Sequence, residues 1–206
     1  MLFNRRTALL CLASSTVLGA CAGEMTLNAN IIDVRAPALG TNGVLSLGAR
    51  QFPCALGRSG IVTTKREGDG GTPAGDFPLR EVRYRPDRIP LPSTKGLPVR
   101  PLQATDGWCD APTDPAYNQP VRLPYPASAE RMWRDDHLYD LLAIVGYNDS
   151  PTVPGRGSAI FLHVARGGAS PPRLAATEGC VAVRLEDLLA ILAESAPSTR
   201  MRIALA

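Results

Sequence analysis

The chain has 206 residues, 45% hydrophobic and 20% charged, which is enough to bury the core of one domain and at most two. A formal charge of +3, with only Lys65 and Lys95 as lysines and no basic run, excludes a surface that tracks a phosphate backbone, so no nucleic-acid partner is expected. Nineteen Gly and nineteen Pro beside 5% aromatics point to a loop-rich fold of short strands, and two histidines exclude a histidine-rich metal site.

Residues 1–24 read as an export signal. Arg5 and Arg6 form a positive start, and the apolar run from Thr7 to Gly19 is too short to span a bilayer. Leu18-Gly19-Ala20-Cys21 has the pattern of a lipoprotein processing site, in which Cys21 carries the lipid anchor. The alternative is an ordinary signal peptide cut near Gly19-Ala20; a twin-arginine signal is matched more weakly. All three send residues 25–206 outside the cytoplasm, to a periplasm, as a single and monomeric domain.

In that domain Ile31–Val34, Val44–Leu47 and Gln51–Leu56 read as short strands bounded by Gly, Pro or Asn. Residues 57–75 are polar and Gly-rich; Gly68-Asp69-Gly70-Gly71 lacks the Gly-Lys-Ser/Thr of a phosphate loop and reads as a turn. The proline-rich stretch from Val82 to Gln103 is expected to be irregular. Ser128–Arg134, with a Ser cap and good helix formers, predicts a short helix. Leu138–Tyr147 and Ser158–Ala165 are near-continuous apolar runs, expected as central strands buried on both faces. Leu185, Leu188, Leu189 and Leu192 recur at helical spacing, with Glu186 and Asp187 in the first turn, and Arg200–Leu205 reads as a closing strand. The order predicts a mainly β fold with small helices, a mixed β-sandwich or barrel.

Three cysteines, Cys54, Cys109 and Cys180, remain in residues 25–206. An oxidising compartment favours a disulfide between Cys54 and Cys109, leaving Cys180 unpaired. Cys180 follows Gly179 in a tight turn, and His163 stands on the strand before it. An imidazole that takes the proton of such a thiol, and holds the thiolate as an ion pair, makes a nucleophile. Backbone N–H groups at Gly179 and Cys180 would face the oxyanion. The plain alternative is a satisfied core histidine and an inert buried cysteine. Asp135-Asp136-His137 has no metal-ligand spacing, so no metal or other cofactor is expected. Trp108 reads either as core or as the wall of a substrate groove; Tyr147-Asn148 reads either as a strand-end turn or as a substrate-orienting pair.

Thr177-Glu178-Gly179-Cys180-Val181, preceded by His163 on an apolar strand, resembles the signature of the L,D-transpeptidase (YkuD-like) family of cell-wall enzymes. A second family element, Thr-Pro-x-Gly-x-Phe, stands at Thr72–Phe77. The resemblance implies that family's catalytic-domain fold, Cys180 as nucleophile, His163 as base oriented by a main-chain carbonyl, and peptidoglycan stem peptides as substrate. It leaves transfer to an amine or hydrolysis, as an L,D-carboxypeptidase or endopeptidase, as alternatives. A non-catalytic wall-binding lipoprotein is a third. Many members carry His before the Gly-Cys and Arg two residues after the Cys; this chain has Glu178 and Ala182. With the Gly107–Asp110 insert and the Gly155–Ser158 turn, these departures resemble a proteobacterial branch that joins the L-alanine of one stem peptide to the diaminopimelate of another. Glu178, Tyr147, Asn148, Trp108 and Ser158 are the substrate-binding candidates. Glu178 beside the thiol is expected to be turned away, or neutralised by Arg156, Arg166 or Arg173, and to hold a substrate amine if it faces the groove.

Overall fold

The structure, a computed structural model, describes Met1 and residues 30–167 and 174–206. The export segment with Cys21, and Arg173, lie outside the described residues. Three strands open the fold as a meander: β1 (Ile31–Ala36), β2 (Asn42–Leu47) and β3 (Arg50–Ala55). The Gly-rich stretch forms a parallel pair, β4 (Ile61–Val62) and β5 (Thr72–Pro73), and leads into the longest strand, β6 (Gly75–Tyr84). After the proline-rich excursion come β7 (Val99–Pro101), β8 (Asp106–Cys109), β9 (Pro120–Arg122) and β10 (Ala129–Arg131). The chain ends with β11 (Leu141–Val145), β12 (Phe161–Val164), β13 (Val181–Val183), α1 (Leu185–Ala193) and β14 (Arg200–Leu205).

The main sheet runs β11-β12-β13-β3-β2-β1-β14-β6-β7, and β11 also pairs with β6, so the sheet closes on itself as a barrel. Three of its pairings, β1–β14, β6–β7 and β12–β13, are parallel and the rest antiparallel. Ile32, Val34, Leu45, Leu162, Val181, Val183, Met201 and Ile203 fill the interior, and α1 plugs it with Leu188, Ile191 and Leu192. The mainly β reading holds, with one short helix among the described residues.

β11 and β12 are buried on both faces, as their unbroken apolar runs predict. Leu141, Ala143 and Val145 face the barrel, while Leu142 and Ile144 join Phe161, Trp108, Met132 and Tyr139 in a second apolar layer outside it. A separate three-stranded sheet, β10-β8-β9, supplies Trp108 and covers that layer. This sheet is where one expectation fails: residues 129–131 form β10 and not a helix. Helix-forming residues over so short a stretch cannot repay nucleation, and the backbone bonds to β8 do.

The predicted disulfide is also absent. Cys54 and Cys109 are free and buried, one facing the barrel core from β3 and the other in the covering sheet, so their sulfurs belong to different layers. Ile32 is fully buried in the barrel, whereas Val44 on the neighbouring strand is exposed. Ile32→Ala should therefore cost about 2–5 kcal/mol, and Val44→Ala less than about 0.5 kcal/mol; denaturant unfolding of the two variants measures both.

Candidate active site

Cys180 immediately precedes β13, which pairs in parallel with β12 at Leu162↔Val181 and His163↔Ala182. Side chains alternate across a strand, so Cys180 lies on the same face as Ala182, and hence as His163 on the adjacent strand. Cys180 and His163 are therefore diagonal neighbours on the outer face of the barrel. Both line a cavity of about 500 Å³ roofed by the covering sheet.

The turn that delivers the sulfur is fixed by Thr177. Its hydroxyl donates to Cys180 O (2.7 Å) and accepts the N–H of Gly179 (3.2 Å). Its backbone is bridged to the loop after β3, with Thr177 N–H donating to Leu56 O and Arg58 N–H to Thr177 O. Thr72, from the second motif, reaches the same turn: its hydroxyl accepts Gly57 N–H at 2.8 Å and lies 3.5 Å from Cys180 O. Gly179 has φ +141°, and a Cβ there would sit 2.9 Å from Gly71 O. The two motifs thus meet in one tight packing of backbone on backbone. At rest Gly179 N–H is engaged by Thr177, whereas the expectation had it facing an oxyanion.

His163 is 5% exposed, and its Nδ1–H donates to Val164 O at 2.8 Å. A carbonyl can only accept, so the proton sits on Nδ1 and Nε2 carries the free lone pair. The orienting group is a main-chain carbonyl. Burial pushes the imidazole down from 6.5 to about 4. Burial likewise pushes the Cys180 thiol up to about 12, with the Glu130 charge adding to the effect. The thiol donates to Ala159 O (3.2 Å) and accepts Phe161 N–H (3.3 Å). Both shifts favour a neutral thiol beside a neutral imidazole at rest. Burial thus works against the ion pair expected from the sequence, because it takes two charges away from water.

The other candidates divide. Ser158 lines the cavity, its hydroxyl donating to Glu67 Oε2 at 2.7 Å. Glu178 is at the mouth, mostly exposed, and is paired with Arg58 at 2.7 Å; among the described residues the neutralising arginine is neither Arg156 nor Arg166, and the third candidate, Arg173, lies outside them. An exposed pair of this kind is worth about 0–1 kcal/mol. Trp108, Tyr147 and Asn148 do not line the cavity of Cys180. Trp108 is core, edge-on to Phe161 with ring centroids 5.3 Å apart. The Tyr147 hydroxyl donates to Arg156 O, and Asn148 holds the turn through Val153 O and Gly157 O.

What joins these three is Asn118, which the sequence gives no means to single out. Its Oδ1 accepts Trp108 Nε1–H (2.9 Å) and Ala159 N–H (3.0 Å), and its Nδ2 donates to Tyr147 O and Asn148 O. A buried amide with every bond made locks Ala159, which holds the thiol, at φ +52°. Tyr139 is a second unforeseen member: it lies edge-on to His163 at 5.3 Å and donates its hydroxyl to Glu130 at 2.6 Å.

With this geometry stands one match. A family model described as the L,D-transpeptidase catalytic domain (YkuD) covers residues 39–203. The chain belongs to the YkuD family. No curated protein and no solved structure gives a significant match. Membership carries L,D-transpeptidase-type activity on peptidoglycan, an acyltransferase class of enzyme, and with it work outside the cytoplasm. The YkuD match spans both motif turns and every strand from β2 to β13.

Two consequences of the geometry can be measured. Gly179→Ala must move the turn or Gly71, so a loss of about 1–3 kcal/mol in thermal unfolding is expected, with Ser158→Ala changing stability far less. The second concerns pH. Between about pH 4 and 6.5 the unfolded chain takes up a proton at residue 163 that the folded chain refuses, so stability falls as pH drops through that window. His163→Gln should flatten this part of a stability–pH curve.

Proposed function

We propose that the chain is a cysteine L,D-transpeptidase that joins peptidoglycan stem peptides, and that its product is the L-alanine to diaminopimelate link. The observation that carries the reading is the placement of Cys180 and His163 as diagonal neighbours in one cavity, with Nε2 of the imidazole unprotonated. Substrate entry lets His163 take the thiol proton as Cys180 Sγ attacks a stem-peptide carbonyl, so the two charges appear only as the bond forms. Cys180 N–H is assigned to the oxyanion. The collapsing intermediate expels the C-terminal part of the donor, which takes the proton from His163 and leaves a thioester. The acceptor amine then attacks the thioester, giving up its proton to His163, and the new amide leaves the free thiol. Support for the unusual link is the Glu178 and Ala182 departure from the common motif, together with the covering sheet that walls the cavity. The N-terminal segment is proposed to export the enzyme to the periplasm and, through Cys21, to tether it to the membrane; the enzyme acts as a monomer.

The test is incubation of the enzyme with purified muropeptides, with intact-protein mass and product mass read together. Wild type should show an adduct on Cys180 and cross-linked dimers; Cys180→Ala should show neither while keeping its fold. His163→Gln should slow adduct formation by about 10²–10⁴-fold. Shortened peptides without dimers would make the enzyme a carboxypeptidase or endopeptidase, and turnover by Cys180→Ala would remove the mechanism.

A further inference from the structure

The covering sheet does more than exclude water. Glu130 in β10 stands opposite Trp108 in β8, and Asp110 continues β8 by donating its N–H to Ser128 O at 3.2 Å. Opposed residues share a face, so Asp110 and Glu130 are diagonal neighbours on the face that carries Trp108. Both line the cavity of Cys180 and His163.

The charges around that cavity are answered one by one. Lys65 is held by Asp69, Glu67 accepts from Tyr117 and Ser158, Arg134 and Arg166 are held by Asp136, and Glu178 is paired with Arg58. Asp110 is the exception among the described residues of this cavity: its Oδ1 exposes less than 1 Å² and meets no hydrogen-bond partner. A buried carboxylate oxygen without a donor costs free energy, and a ligand that brings the donor recovers it. Glu130 is answered in part, by the Tyr139 hydroxyl at 2.6 Å and Arg134 at 3.6 Å. Burial raises its carboxyl, and the Asp110 charge raises it further, as expected for two acids facing one cavity. The missing element is a cationic donor. Among the described residues no third His, Cys, Asp or Glu joins the pair in a metal-holding group, and an organic ammonium is the cation that two carboxylates hold by charge-assisted hydrogen bonds.

We propose that Asp110 and Glu130 form an ammonium subsite beside Cys180 that takes the free primary ammonium of a diamino-acid residue in the peptide substrate. The choice of substrate rests on the function proposed above. The subsite itself rests on the unpartnered oxygen. The Asp110 and Glu130 carboxylates share the ammonium between them, and its remaining N–H is left for water or substrate. Glu178, exposed and already paired, is not part of it.

Binding tests the subsite without chemistry. The full chain carrying Cys180→Ala is titrated calorimetrically with a diaminopimelate-containing stem tetrapeptide, its side-chain amine either free or acetylated. The free amine should bind at least about tenfold tighter, the size of one charge-assisted hydrogen bond. Adding Asp110→Asn should shrink that ratio to within about twofold, and Glu130→Gln should reduce it as well, with thermal melts checking that each variant is folded. A ratio near one before Asp110 is changed, or a ratio that Asp110→Asn leaves intact, overturns the subsite.

With Cys180 restored, Asp110→Asn also tells which peptide brings the ammonium. Slower adduct formation from the free-amine peptide places it on the donor; normal adduct formation with slower aminolysis places it on the acceptor. Equal slowing with free and acetylated peptides overturns the subsite. Absence of any wild-type adduct defeats the proposed chemistry and leaves the binding ratio to judge the subsite by itself.

Discussion

Barrel closure through β11 sets the conditions for everything at the site. By pairing with β12 on one side and β6 on the other, β11 takes away a free sheet edge. Its inner face fills the barrel, but its outer face remains strongly apolar and needs a second cover. The β8–β10 sheet is that cover, and it brings Trp108 against Phe161. The space left between cover and barrel is where Cys180 and His163 meet. The cavity of Cys180 and His163 is thus what remains when an apolar surface is roofed incompletely.

That origin explains the electrostatics. Burial in the cavity wall pushes the thiol, the imidazole and Glu130 toward their neutral forms. A neutral thiol is a weak nucleophile, which is why the proposed chemistry has proton transfer and attack occur together. The hydrogen bonds from Phe161 N–H and to Ala159 O hold the sulfur in place meanwhile. Asn118 and Thr177 serve the two sides of that arrangement, one fixing Ala159 and the other fixing the Gly179 turn.

Much of this was legible in the sequence, and the boundary is physical. Strands β1 to β3, β11, β12 and β14 and helix α1 carry their own periodicity and turn residues over five or more positions, except β12, whose apolar flanks lengthen the signal. The pairing of His163 with Cys180 could be read because a strand, a loop and a Gly-Cys turn are local features. Strand β10 could not: over three residues no period exists, and Glu130 and Arg131 are as suited to a helix as to a strand. Asp110, Glu130, Tyr139 and Asn118 reach the site only through long-range packing, so their partners are invisible in a list of residues. The burial that works against the ion pair is hidden for the same reason, since it depends on how the fold packs around the two residues.

Cys54 and Cys109 have a consequence for how the domain matures. Both are free, and burial puts the Cys54 thiol up to about 12, which leaves almost none of it as thiolate near neutrality. Thiol–disulfide exchange needs a thiolate and access, and this fold denies Cys54 both. Among the described residues no disulfide ties the fold, and its stability comes from packing. Folding of these residues makes no demand on a disulfide catalyst, and the Cys180 sulfur reaches the finished cavity without first having to be released from a partner.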